Sequence, residues 1–139
     1  MVIVAAVDRS ERAAEIVDQA QRLAAAFDDT IHVVHVLSES EFVSLERTSV
    51  DKTGTALDMD RVRGVAADVA DEAISTDDSK TKAVGLVGDP TDRIVGYADE
   101  HDARYIVVAS RKRSPAGKVL FGSVAQSVLL NAGRPVVVC

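Results

Sequence analysis

The chain is poor in the residues that most directly announce chemistry. Tryptophan is absent, the only aromatic side chains are Phe27, Phe42, Tyr97, Tyr105 and Phe121, and Cys139 is the one cysteine among 139 residues. A lone thiol makes no internal disulfide and excludes a cysteine-based zinc cluster, so the expected compartment is a reducing one, the cytoplasm. So few rings argue against the stacking platforms of single-strand binders, and no nucleic-acid partner is expected. Charges interrupt every apolar stretch well short of the roughly 18 residues that a membrane span needs, so no membrane association is expected. The opening MVIVAAVDRS has neither a basic n-region nor a small-residue cleavage site, and reads as a strand rather than a secretion signal. Histidine is also scarce: His32 and His35 lie three apart on an expected strand, point to opposite faces and cannot chelate one metal. His101, at an expected helix end, reads as a surface residue. No Ser-His-Asp, Cys-His or metal-ligand constellation stands out.

What is present is an ordinary globular composition, 47% apolar and 27% charged, in one domain's worth of chain, residues 1–139. The net charge of −6 conceals a segregation. Residues 109–139 hold Arg111, Lys112, Arg113, Lys118 and Arg134 and no Asp or Glu, so the remaining chain carries 11 basic against 22 acidic groups. An acidic body with one basic segment directs anions to a single place.

Strands and helices alternate. VIVAAV at 2–7 is a doubly buried strand ending at Asp8. Ser10 is placed to cap a helix with apolar positions Ala13, Ile16, Val17, Ala20, Leu23, Ala24 and Phe27. A second strand is expected at Ile31–Leu37, and residues 38–54 read as a long loop or a ragged helix start. A helix follows from Asp58 to about Ser75, with Met59, Val62, Val65, Ala66, Val69, Ala73 and Ile74 as its buried stripe. Strand three is Ala83–Val87. Pro90 opens a helix to about His101, strand four is Tyr105–Ala109, a helix runs Ser123–Asn131, and Pro135–Cys139 is a fifth strand. This βαβαβαβαβ order predicts an α/β fold, a parallel sheet covered by helices on both faces. Ligands of such sheets sit beyond the carboxyl ends of the strands where the strand order reverses. The loops after strands one and four, Asp8–Ser10 and Ser110–Gly122, are the expected site, and the basic segment lies in the second. Gly117-Lys118 looks like the end of a phosphate-binding P-loop, but Val119 stands where that loop needs Ser or Thr, and it is rejected.

The stretch Val107-Val108-Ala109-Ser110-Arg111-Lys112-Arg113 through Gly122-Ser123-Val124, with VIVAAVDRS at the start and Gly88-Asp89-Pro90 before the third helix, resembles the universal stress protein family. The resemblance covers the whole chain. It implies a Rossmann-like (adenine nucleotide α-hydrolase-like) three-layer sandwich with a five-stranded parallel sheet of order 3-2-1-4-5. It also implies a homodimer and, in many members, ATP binding tied to stress survival. Nucleotide-binding members carry a G-x-x-G-(nine residues)-G-S/T loop. Aligned on Gly122-Ser123, the two earlier glycines fall at Ala109 and Lys112. Asp8, Val36, Val108, Gly122, Ser123 and Val124 match positions that contact nucleotide in such members.

The residues alone leave two readings open. In the first, ATP or a related nucleotide, with or without Mg²⁺, or another small-molecule anion binds weakly after strand four. Asp8, Val36, Val108, Ala109, Arg111, Lys112, Arg113, Gly122, Ser123 and Val124 form the site, and the protein is a sensor or regulatory module rather than an enzyme. In the second, the chain is a ligand-free dimeric interaction module whose basic loop meets an acidic partner protein; the blandest reading leaves the Arg111–Arg113 run a solvated loop and Asp8 and Ser123 helix caps. In both, the uncharged edge segment Val136–Cys139 is expected to pair with its own copy in a homodimer.

Overall fold

Every strand is a short apolar run whose two sides face different helices. β1 (Val2–Ala6) pairs in parallel with β2 (Thr30–Leu37) and β4 (Ala103–Val108); β2 also pairs with β3 (Thr81–Val87), and β4 with β5 (Val136–Val138). The sheet order is β3-β2-β1-β4-β5, the expected five-stranded Rossmann-like arrangement. The structure, a computed structural model, describes residues 1–53, 58–75, 79–110 and 122–139. Among the described residues, no helix is long and apolar enough to cross a membrane.

Among the described residues, five helices cover the sheet: α1 (Ala13–Phe27), α2 (Glu39–Thr53), α3 (Met59–Glu72), α4 (Pro90–Glu100) and α5 (Ser123–Asn131). Ile3, Ala5, Ile31, Val33 and Val107 pack with Ile16, Val17 and Ala20 of α1 and Ala70 of α3. Val4, Val34, Val36, Ile106 and Val108 pack with Ile94, Tyr97 and Ala98 of α4 and Ala125 and Val128 of α5. Odd and even residues of one strand therefore serve opposite layers, as the period-two geometry demands. His32 and His35 obey it. His32 Nδ1 lies 2.7 Å from the Tyr97 hydroxyl, and the Tyr97 ring stacks on His101 at 3.9 Å. Burial pushes the His32 pKa below its ordinary value, helped by the neighbouring His101 and Lys82.

Several expectations need correction. Residues 38–54 hold a helix, α2, which Phe42 and Leu45 anchor against Leu37, Val62 and Ala66. α1 starts at Ala13 with Arg12 at its N-cap and no side-chain cap; the Ser10 hydroxyl accepts only from the Arg12 N–H, at 3.3 Å. Phe27 is 42% exposed because it serves as the platform for the Arg104 guanidinium, 4.4 Å from its centroid. In α3 the buried row is Val62, Ala66 and Ala70, while Met59 is exposed. Arg104 also places its Nε 2.6 Å from Asp29 Oδ2, and this partner holds the buried carboxyl below the usual carboxylate range.

Candidate functional site

β1 ends next to both β2 and β4, which run away from it on opposite sides, so their carboxyl ends leave an open crevice. The crevice is a cleft of about 830 Å³, within the range of small-molecule sites. Its floor is Ala6–Val7, Val34–Val36 and Val108–Ser110; its walls are the Asp8–Arg12 turn, Pro90 and Ile94 of α4, and Gly122–Ala125 at the start of α5.

The turn after β1 is built by short polar bonds. Asp8 Oδ1 accepts the Ser10 N–H at 2.8 Å, and the Ser10 carbonyl accepts the Ala13 N–H at 3.2 Å. Asp8 therefore closes a local Asx turn instead of capping α1, the role the blandest reading gave it. Arg12 Nη2 donates to the Cys139 carbonyl at 3.2 Å and pairs with Glu15, tying the turn to β5. Arg9 and Arg12 both line the cleft, and Arg9 makes no ion pair among the described residues.

The opposite wall is a helix start. Gly122, with φ −67° and ψ 159°, is the N-cap of α5, and Ser123 is the first helical residue. The Ser123 hydroxyl therefore does not serve as the cap. The first intrahelical donor is the Gln126 N–H, 3.0 Å from the Gly122 carbonyl. The N–H groups of Ser123, Val124 and Ala125 are left without intrahelical partners at the positive end of the helix dipole. Backbone donors, the hydroxyls of Ser10, Ser110 and Ser123 and the side chains of Arg9 and Arg12, interspersed with the carboxylates of Asp8, Glu11 and Glu41, thus rim an apolar floor. That arrangement suits an anionic ligand with a flat apolar portion.

Asp8, Val36, Val108, Ala109, Gly122, Ser123 and Val124, scattered over the sequence, all line this one cleft. Arg111, Lys112 and Arg113 lie outside the described residues, as does Lys118. Sequence reasoning included Arg9 only within the Asp8–Ser10 loop and missed Arg12, His35, Pro90 and Ile94. The D-R-S-x-R spacing after β1 is a signal that places two guanidinium groups there. Pro90 and Ile94 left none beyond ordinary helix periodicity. Among the described residues, no group of three or more His, Cys, Asp or Glu side chains is placed to hold a metal ion.

A parallel α/β domain with a polar-rimmed cleft at its strand-order reversal has the Rossmann-like fold. Comparison with known proteins places it more narrowly. The profile of the Universal stress protein family matches residues 1–139, and the chain belongs to that family. A universal stress protein structure from Archaeoglobus fulgidus superposes with a TM-score of 0.64 at 33% identity, covering 99% of this chain and 96% of that one. A second A. fulgidus structure, in complex with dAMP, gives a TM-score of 0.59 at 26% identity, covering 99% and 94%. A universal stress protein of Mycolicibacterium smegmatis is 44% identical over 48 residues, 34% of this chain and 37% of that protein, so the match spans little more than a third of that relative.

Proposed function

We propose that this chain is a stress-response regulatory module that binds an adenine nucleotide, AMP or ATP, in the cleft and does not turn it over. The observation that carries the reading is convergence. Residues from the ends of β1, β2 and β4 and the N-terminus of α5 form one cleft that joins apolar floor to unpaired N–H donors. A related structure holds dAMP, which supports this ligand class. The phosphates would meet the N–H groups of Ser123–Ala125 and the cations of the turn and the basic loop. The base would lie on Val36 and Val108, and the free Oδ2 of Asp8 would accept from ribose hydroxyls. These residues fit a nucleotide. Mg²⁺, if carried, would arrive on the phosphates with Asp8 as its protein ligand. Hydrolysis would need a base that positions water, and in this reading Asp8 serves the turn through Oδ1 and the ribose through Oδ2 instead.

The test is calorimetric titration of nucleotide-stripped protein with ATP and AMP, alongside mass spectrometry of ligand released from protein purified without added nucleotide. Micromolar affinity is expected, falling as salt rises because the loop charges are screened. No binding at millimolar ATP would instead support the ligand-free interaction module, a reading that Ala109 and Lys112 in place of two glycines keep in play. Cytoplasmic residence belongs to both readings.

A further inference from the structure

His35 stands near the end of β2, lines the cleft, and is only 6% exposed. Its Nδ1 lies 2.9 Å from the Val7 carbonyl oxygen. A carbonyl oxygen only accepts, so Nδ1 carries a proton, and in the neutral ring Nε2 is then a bare lone pair. That Nε2 is buried and has no partner among the described residues. The arrangement is locally unfavourable: a buried acceptor without a donor has lost its water for nothing in return. A leucine would fill the same space without that loss. The only polar act of this side chain is to hold the Val7 carbonyl.

Val7 is the last residue before the turn that enters the cleft. Its N–H donates to the Val34 carbonyl at 2.9 Å, so both of its backbone polar groups are fastened to β2, one by the main chain and one by His35. Val7 is itself 6% exposed, and its carbonyl is a largely buried acceptor whose partner is the imidazole. Asp8, Arg9 and Ser10 are exposed and are held by the short bonds Asp8–Ser10 and Ser10–Arg12. Those bonds shape the turn but do not locate it. Its far end is tied by Arg12 to the Cys139 carbonyl, and its entry, with Asp8, is set where the chain leaves the sheet, at Val7.

We infer that His35 is a positioning residue for the cleft: through Nδ1–H and the Val7 carbonyl it fixes where Asp8 and the turn enter the site, and so sets nucleotide affinity. The affinity part rests on the nucleotide-binding reading; the positioning part does not. Two measurements need no ligand. Long-range ¹H–¹⁵N spectra of the wild-type protein are expected to show His35 as the Nδ1–H tautomer, the one a free imidazole disfavours; an Nε2–H tautomer overturns the inference. Amide exchange at Ser10 and Arg12 is expected to quicken in His35→Leu and to return towards wild type in His35→Asn, which keeps a donor near the Nδ1 position. Unchanged exchange in His35→Leu also overturns it. With ATP, His35→Leu is expected to bind about tenfold more weakly than wild type, with His35→Asn recovering most of that loss. Equal affinity in wild type and His35→Leu, or no recovery by asparagine, counts against the role. A wild type that fails to bind ATP refutes the nucleotide reading alone, and the tautomer and exchange results still decide for or against His35.

Discussion

One methyl group and one ammonium separate this chain from the glycine pattern of its family's phosphate loop. Ala109 lies in the cleft floor, packed against the layer of core beneath α1, so its extra methyl stands close to any ligand. At Lys112 glycine's backbone freedom is lost, while a cation is gained beside Arg111 and Arg113. The two effects have opposite signs, and the charge is expected to win because an ionised donor binds phosphate more strongly than the backbone N–H groups that a glycine would let approach. Reversing Lys112 and Arg113 to glutamate should therefore weaken ATP binding by tenfold or more at low salt. Restoring Ala109→Gly alone should tighten it, and Lys112→Gly alone should loosen it. Calorimetry on the three variants checks the order; a tighter Lys112→Gly would reverse the assignment. The residues whose place in the cleft could be read ahead, through the family resemblance, are those at strand ends and at the start of α5: Asp8, Val36, Val108 and Gly122-Ser123. His35 could not be, because its meaning lies in a carbonyl 28 positions away that only the β1–β2 pairing brings near.

At the scale of elements, strands were legible because doubly buried runs such as VIVAAV and IHVVHVL have no other comfortable place. Their ends were less so: β3 begins at Thr81 and β4 at Ala103, each two residues before the apolar run suggested, because ladder bonds extend past the apolar residues. α2 was left between a loop and a ragged helix start since its apolar stripe is sparse, and it is anchored mainly by Phe42 and Leu45. Gly85 shows what periodicity cannot reveal. It lies mid-strand, where a glycine weakens a sheet, yet a Cβ there would sit 2.0 Å from the Arg63 carbonyl and 2.4 Å from the Ala67 nitrogen. α3 therefore approaches β3 as closely as main chain allows. Gly85→Ala must push α3 away, and the expected destabilisation is about 3 kcal/mol, the upper part of the usual overpacking range. Gly64, on the exposed side of the same helix, has nothing within 4 Å of its missing Cβ. Gly64→Ala should instead stabilise by roughly 0.5–1 kcal/mol through helix propensity. Urea unfolding of both variants tests the pair, and similar midpoints for the two would remove the close-packing explanation.

At the scale of the whole molecule, β5 is an edge of the sheet, and its residues Val136–Val138 carry no charge to discourage pairing. We propose that two copies pair there about a two-fold axis, the assembly the family resemblance implies. The backbone shows which atoms such a dimer would use. The Pro135 carbonyl accepts from Ile106, and Cys139 both donates to the Val108 carbonyl and accepts from Ser110. In a parallel ladder a residue turns its N–H and C=O the same way and its neighbours turn theirs the other. Residues 135, 137 and 139 thus face β4, leaving the N–H and C=O of Val136 and Val138 on the open side. The side chains are no help in testing this, because Val137 packs into one core layer and Val136 and Val138 into the other. An arginine at Val137 would damage the fold along with the interface. The informative change is Val138→Pro, which deletes an outward N–H, breaks no bond to β4, and is tolerated at an edge strand. Gel filtration with light scattering at micromolar concentration is expected to give a dimer for wild type and a folded monomer for Val138→Pro. A monomeric wild type would dismiss the assembly, and a dimer indifferent to Val138→Pro would move the contact away from this edge.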